Sequence, residues 1–209
     1  MYEKQTITLG MGCFWSPEAL FGALPGVTET RVGYAGGTTG QPTYREMGDH
    51  SETVEIGFDA EFIAADQLLE TFWNNHNPVN INGYKGRQYQ SLLLYRDTLQ
   101  AETFNRVKKR VEAAKGQALE TEIAAFEAFY PAEPRHQKYY LKRYPDAVDR
   151  LSGLYESEEA FLRSTLAARL NGIAKGYANL GPVLREIQAW PMNPDERNAL
   201  IEQVRNIRW

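Results

Sequence analysis

The tightest constraint on the fold is a strand, a sharp turn and a helix compressed into residues 5–24, with the chain's only cysteine at the junction. Residues Gln5 to Leu9 alternate, Ile7 and Leu9 on one side and Thr6 and Thr8 on the other, the pattern of a half-buried strand. Ala19, Leu20, Ala23 and Leu24 then recur at helical spacing. Pro17 suits a first helical turn, where its missing N–H costs nothing, and Pro25-Gly26 stops the run. Cys13 therefore falls at a helix N-terminus. Unpaired backbone N–H groups and the positive end of the dipole favour an anion there, so a thiol of ordinary pKa about 8.5 is expected to shift toward thiolate near neutral pH. A lone cysteine is also a common small core hydrophobe. Gly12 before it and Phe14 and Trp15 after it describe a backbone turn beside an apolar pocket, which a core filler does not require; they favour a nucleophile.

The alternation continues. Strands are expected at 4–10, 27–34, 52–58, 91–95 and 120–128, and helices at 14–24, 64–75 and 98–115, with further helical segments at about 135–143, 157–175, 181–189 and 194–206. One adjacent strand pair within this order predicts an α/β (α+β) two-layer sandwich: a ferredoxin-like split β-α-β core with a mixed sheet, plus a helical C-terminal extension. At 209 residues the chain can bury a substantial core. Residues 1–148 hold the motifs that carry chemistry and read as the catalytic domain. Residues 149–209 read as a helical extension packed on it, in which Phe161, Leu162, Leu166, Leu170 and Ile173 share one helical face. Leu166, Leu170 and Trp190 are expected to contact the main core; a tail bordering the site is the alternative. Gly33 to Gly40 has neither a GKS/GKT ending nor a strand-to-helix context, so it is a flexible or tightly turned loop rather than a phosphate loop.

The net charge of −4, with both signs interspersed, offers no basic field for nucleic acid, and Lys108-Lys109-Arg110 reads as the solvated face of a helix. A basic n-region, an apolar h-region and an apolar run of membrane-spanning length are all missing, which predicts a cytoplasmic protein with no membrane partner. One cysteine excludes an internal disulfide framework, and no Cys/His cluster has zinc spacing, so no metal is expected.

Glu52 shares its parity with Val54, Ile56 and Phe58 in the strand that follows, whereas Thr53, Glu55, Gly57 and Asp59 point the other way. A carboxyl on an apolar face has its pKa raised, and so can stay protonated and act as a general acid. A strand-edge glutamate bending back to solvent is the other reading.

Gly12-Cys13-Phe14-Trp15 resembles the active-site signature of the A-type peptide methionine sulfoxide reductases. The segments Leu24-Pro25-Gly26-Val27, Val32-Gly33-Tyr34-Ala35-Gly36-Gly37, Pro42-Thr43-Tyr44-Arg45-Glu46, His50-Ser51-Glu52, Phe72-Trp73-Asn74-Asn75-His76-Asn77-Pro78, Gly86-Arg87-Gln88-Tyr89-Gln90-Ser91 and Ala132-Glu133-Pro134-Arg135-His136-Gln137 follow in the family's order, over about residues 5–145. The resemblance implies a peptide-methionine (S)-S-oxide reductase of the single-cysteine kind, acting on protein-bound or free methionine sulfoxide. In it Cys13 attacks the sulfur and becomes a sulfenic acid, Glu52 donates a proton, and Tyr34 and Tyr89 hold the oxygen. Phe14 and Trp15 would wall the S-methyl pocket, and Tyr84, Glu133 and His136 would border the substrate. For the tyrosines and aromatics, ordinary core packing stays open. His50, His76 and His136 lie in matching segments, and none has to be the base for Cys13; a structural role is favoured for each.

The family likeness also implies no bound cofactor. An external thiol (thioredoxin, glutaredoxin or glutathione) would restore Cys13, because the C-terminal cysteine that many relatives use for an internal disulfide is absent. Three positions depart from the pattern: Ser16 stands where glycine is usual, Tyr84 where an acidic residue is usual, and Gln90 where arginine is common. Two rival classes remain. One is a cysteine acyl transferase or hydrolase with His136 or His50 as base and Glu52 as its orienter. The other is a methionine-sulfoxide-binding module with little turnover.

Overall fold

The computed structural model describes residues 4–209 and builds one six-stranded sheet. β1 (Lys4–Met11) leads through α1 (Trp15–Gly22) to β2 (Val27–Ala35) and β3 (Ser51–Asp59). α2 (Ala65–Asn74) and the single turn α3 (Pro78–Ile81) lead to β4 (Ser91–Tyr95). The spatial order β4-β1-β3-β2, antiparallel throughout, is the expected split β-α-β core. The helix α4 (Thr98–Lys115) crosses to β5 (Glu122–Ala125), parallel to β4, and β6 (Phe129–Pro131) closes the opposite edge against β2, so the sheet is mixed.

The strand expected at 120–128 is shorter, Glu122–Ala125, and a separate strand, Phe129–Pro131, follows on the opposite edge. Phe126 and Phe129 explain the split: with Ala35, Leu92 and Leu94 they form a small apolar cluster apart from the main core.

Cross-strand register sets the main core. Ile7 lies opposite Ile56 and Leu9 opposite Val54, and this parity packs on Leu68, Leu69, Phe72 and Trp73 of α2 and Phe104, Val107 and Val111 of α4. Each large apolar side chain buried there contributes about 1.5–3 kcal/mol. The other parity carries charge: Arg31 and Arg96 both pair with Glu55.

Beyond β6 the chain makes two 3-10 turns (Pro134–His136 and Leu141–Arg143) and then α5 (Pro145–Ser152), α6 (Glu158–Leu162), α7 (Thr165–Lys175), α8 (Leu180–Gln188) and α9 (Pro194–Arg205). The expected helix 157–175 is two helices, because Ser157 and Ser164 each cap a new start by accepting the N–H of Ala160 and Ala167, both at 3.1 Å. Leu166, Leu170 and Trp190 do not join the main core as expected. They belong to a second hydrophobic cluster, with Leu141, Leu151, Phe161, Ile187 and Val204.

What faces α1 is the small side of α7. A Cβ on Gly22 would come within 2.7 Å of the Ala168 carbonyl oxygen, and one on Gly172 within 2.8 Å of the Ala23 Cβ, so the helices touch backbone to backbone. Arg169, 1% exposed, donates from Nη1 to the Gly22 carbonyl at 2.7 Å and twice to Glu186 at 2.8 Å, placing a cation at the negative end of α1.

A second buried charge ties the 3-10 region to α1. Lys138 Nζ donates to Glu18 Oε1 at 2.8 Å and to the Thr30 carbonyl at 2.7 Å, and the Lys138 backbone N–H donates to Glu18 Oε2 at 2.9 Å, all fully buried. Removing one partner leaves the other charge uncompensated. Lys138→Met should therefore lower unfolding stability by about 3–5 kcal/mol, and adding Glu18→Gln should recover part of that loss. Urea titration of the two variants checks this; equal losses would contradict it.

Candidate active site

The turn between β1 and α1 is set by Gly12, whose φ of +91° lies in the left-handed region and aims the next residue out of the sheet. Cys13 emerges there as an exposed thiol. Pro17 takes the third helical position of α1, so Cys13 lies two residues before the first helical residue. The Phe14 backbone N–H donates to Glu52 Oε2 at 3.1 Å, and Gln88 Nε2 donates to Oε1 at 2.8 Å.

Glu52 is 1% exposed and sits on the parity of Val54, Ile56 and Phe58, as the alternation predicts. Burial pushes its carboxyl above the ordinary range, against the opposing pull of the Gln88 and Phe14 hydrogen bonds, a hydrogen bond from Cys13 and the charge of Lys85. Glu52 and Cys13 each perturb the other's ionisation.

The expected shift of Cys13 toward thiolate is overturned. Burial of one side of the sulfur, reinforced by the charge and hydrogen bond of Glu52, pushes the thiol up to about 11, and the backbone hydrogen bond at Trp15 opposes this without prevailing. Helix-end polarity was legible in the sequence; a carboxylate against the sulfur was not. The resting site holds the Cys13 thiol beside the Glu52 carboxyl.

Tyr34 lies directly across the β2–β3 register from Glu52. Its hydroxyl is engaged, however, donating to Glu133 Oε2 at 2.7 Å, and burial together with Glu133 holds its pKa far up. Glu133 Oε1 also accepts the Tyr44 backbone N–H at 3.2 Å, so this carboxylate anchors two tyrosines. Tyr44 is the residue that the sequence reading left out of the site. Its ring lies 4.8 Å from that of His136, and its pKa is raised first by burial and then by the charges of Glu52 and Cys13. Tyr89 answers to the same neighbours, pushed up to about 12 by burial and then by Glu52, Cys13 and Tyr44. Neither the Tyr44 nor the Tyr89 hydroxyl is paired in any hydrogen bond among the described residues, whereas that of Tyr34 is.

Around this centre Phe14 is 1% exposed and forms the floor, with ring centroids 6.1 Å from Tyr34 and 5.6 Å from His136. Trp15, partly buried, lies flat on Tyr139, centroids 3.9 Å apart and planes 6° apart. Tyr84, 61% exposed, stacks on Tyr89 at 5.9 Å and forms an outer lip. A cavity of about 660 Å³, lined by Arg31, Pro42, Pro131 and Leu162, meets this centre only through Glu133.

None of the three histidines stands free beside the thiol. His50 Nδ1 accepts the Gly37 N–H at 3.1 Å and its Nε2 meets the Thr39 carbonyl at 2.7 Å, which, with Asp49 accepting the Thr38 and Thr39 N–H groups, makes the glycine-rich stretch a tight turn. His76 bridges the Phe72 carbonyl and Ser91 Oγ, both at 2.7 Å, and burial lowers its pKa to about 4. His136 lies behind the aromatic wall with Nε2 accepting from Arg135 Nε at 3.1 Å, and burial lowers its pKa.

Comparison with known proteins agrees with this geometry. A family model described as peptide methionine sulfoxide reductase matches residues 5–167. A peptide methionine sulfoxide reductase of Drosophila melanogaster is 42% identical over 195 residues, covering 93% of this chain and 78% of the relative. Among solved structures, methionine sulfoxide reductase A of Corynebacterium diphtheriae superposes with a TM-score of 0.58 at 34% identity, over 68% of this chain and 76% of that one. Mxr1 of Saccharomyces cerevisiae in its reduced form gives a TM-score of 0.62 at 26% identity, over 69% and 90%. With the model match spanning both the Cys13 turn and Glu52, the chain belongs to the peptide methionine sulfoxide reductase family.

Proposed function

We propose that this chain reduces methionine-(S)-sulfoxide, free or within oxidised proteins, with Cys13 as nucleophile and Glu52 as proton donor. The observation that carries the reading is the buried Glu52 carboxyl, bonded to the backbone N–H of Phe14, the residue next to the exposed Cys13. One proton serves both groups. A sulfoxide oxygen placed against Glu52 draws that proton from the thiol through the Glu52 carboxyl, and the thiolate left on Cys13 attacks the now electrophilic sulfoxide sulfur. The oxygen ends on Cys13 as a sulfenic acid and methionine leaves as the thioether, so atoms and electrons balance. Tyr44 and Tyr89 offer the free hydroxyls for the oxygen, and Tyr34, fixed by Glu133, lies beside Phe14. Trp15 supplies the face for the S-methyl group.

With Cys13 alone in the chain, the sulfenic acid condenses with an external thiol, losing water, and a second thiol releases the mixed disulfide. Thioredoxin, glutaredoxin and glutathione are the candidates, and a reducing compartment such as the cytoplasm supplies any of them. No bound cofactor enters the scheme. The hydrolase alternative is disfavoured, since among the described residues His136 Nδ1 is the one histidine nitrogen without a hydrogen bond and it is buried. Turnover of the (S) epimer of dabsyl-methionine sulfoxide with dithiothreitol, against the (R) epimer, tests the function; equal rates or none would overturn it.

The phenols make a separate expectation. Tyr44→Phe and Tyr89→Phe should each slow single-turnover reduction by less than about tenfold, and the pair together by roughly a hundredfold, because either hydroxyl can partly support the same oxygen. Strictly multiplicative small losses would show that they do not share it.

A further inference from the structure

We propose that Asn171, in the C-terminal extension, is a positioning residue for the aromatic wall beside Cys13; this rests on Trp15 facing the substrate. Asn171 is fully buried on α7, and its Oδ1 accepts two successive backbone N–H groups, Tyr140 at 3.1 Å and Leu141 at 3.0 Å. Those bonds fix the short segment from which two tyrosines reach back to α1. Tyr139 lies on Trp15 at 3.9 Å, and the Tyr140 hydroxyl meets Ser16 Oγ at 2.8 Å. The two rings stand at 84° to each other, so a rotation of the segment that moved one would move both.

One turn along α7, Lys175 places Nζ 4.8 Å over the Tyr140 ring, a second hold on the same segment from the same helix face. Asn171 Nδ2, by contrast, is buried with no partner. An apolar residue would avoid that orphan donor, so what the asparagine contributes is its acceptor oxygen. The extension thereby holds the outer wall of the site, and Ser16, where the family pattern has glycine, becomes the contact through which the segment is fastened to α1.

Asn171→Leu keeps the bulk and removes the acceptor, and Asn171→Asp keeps an oxygen in its place. Steady-state and single-turnover kinetics are measured on the full chain with dabsyl-methionine sulfoxide and dithiothreitol, at a temperature where circular dichroism shows each variant folded. Asn171→Leu should lower kcat/KM roughly tenfold through KM, with the saturated single-turnover rate within about twofold of the parent, as a misplaced wall predicts. Asn171→Asp should restore most of the loss. Combining Asn171→Leu with Tyr139→Leu should add nothing further, since both act on the Trp15 face. Unchanged kcat/KM in Asn171→Leu, or full additivity with Tyr139→Leu, would overturn the proposal. If the parent chain reduced no sulfoxide, the proposed function would fall while this inference kept its own readout. The near-UV dichroism change caused by Tyr139→Leu should be reproduced by Asn171→Leu, and absence of that match would overturn it.

Discussion

Cys13→Ser should abolish sulfoxide reduction altogether, with dithiothreitol at any concentration. The chain has one thiol, so no second cysteine can take over attack on the sulfoxide sulfur. Serine fits the same turn after Gly12, and the fold should persist because Cys13 is exposed. Melting within a few degrees of the parent, together with activity below detection, is the expected pair of results. Residual turnover above the dithiothreitol background would mean that reduction does not pass through Cys13.

Glu52→Gln should slow sulfenic acid formation by about 10²–10⁴-fold, the range for losing a general acid. The amide keeps the shape but has one acceptor oxygen for two donors, Gln88 Nε2 and the Phe14 N–H, so a stability loss of about 1–3 kcal/mol is expected beside the kinetic one. The pH dependence separates the two. In the parent, the pair holds one proton between the ionisation of Glu52, which burial lifts above 4.5, and that of Cys13 at about 11. As pH rises, kcat/KM should increase through the first, hold a plateau between the two and fall only toward the second. A rise centred near pH 8 would instead indicate an ordinary thiolate. Because the Glu52 charge helps hold the thiol protonated, Glu52→Gln should move the midpoint of iodoacetamide alkylation of Cys13 below about 11, and an upward move would contradict the shared-proton account.

The strand at 52–58 shows how far a sequence carries such an account. Parity alone put Glu52 on the apolar face, and the register across from Tyr34 and the contact with Phe14 are consequences of that placement. The order of strands and helices likewise follows from local periodicity, which is a short-range property. What stayed hidden depends on partners far along the chain. Tyr34 and Tyr44 look alike in their glycine-rich and proline-flanked segments, and only Glu133, 99 residues beyond Tyr34, decides which hydroxyl is engaged. The thiol's upward shift depends on the fold bringing Glu52 to the sulfur. Leu166 and Leu170 advertised the apolar side of α7, but its working contact with α1 is made through Gly172, Ala168 and Arg169, small or charged positions with no hydrophobic signal.

The most direct test of Cys13 and Glu52 chemistry is intact-mass spectrometry after one turnover, without reductant. The (S)-sulfoxide should yield one equivalent of methionine per chain and leave a single oxygen on Cys13 that dimedone traps, and added glutathione should instead leave one glutathionyl group there. Methionine formed without any change at Cys13, or an acyl adduct on Cys13 with no methionine formed, would contradict the account. So would quantitative conversion to a Cys13–Cys13 dimer in the presence of glutathione.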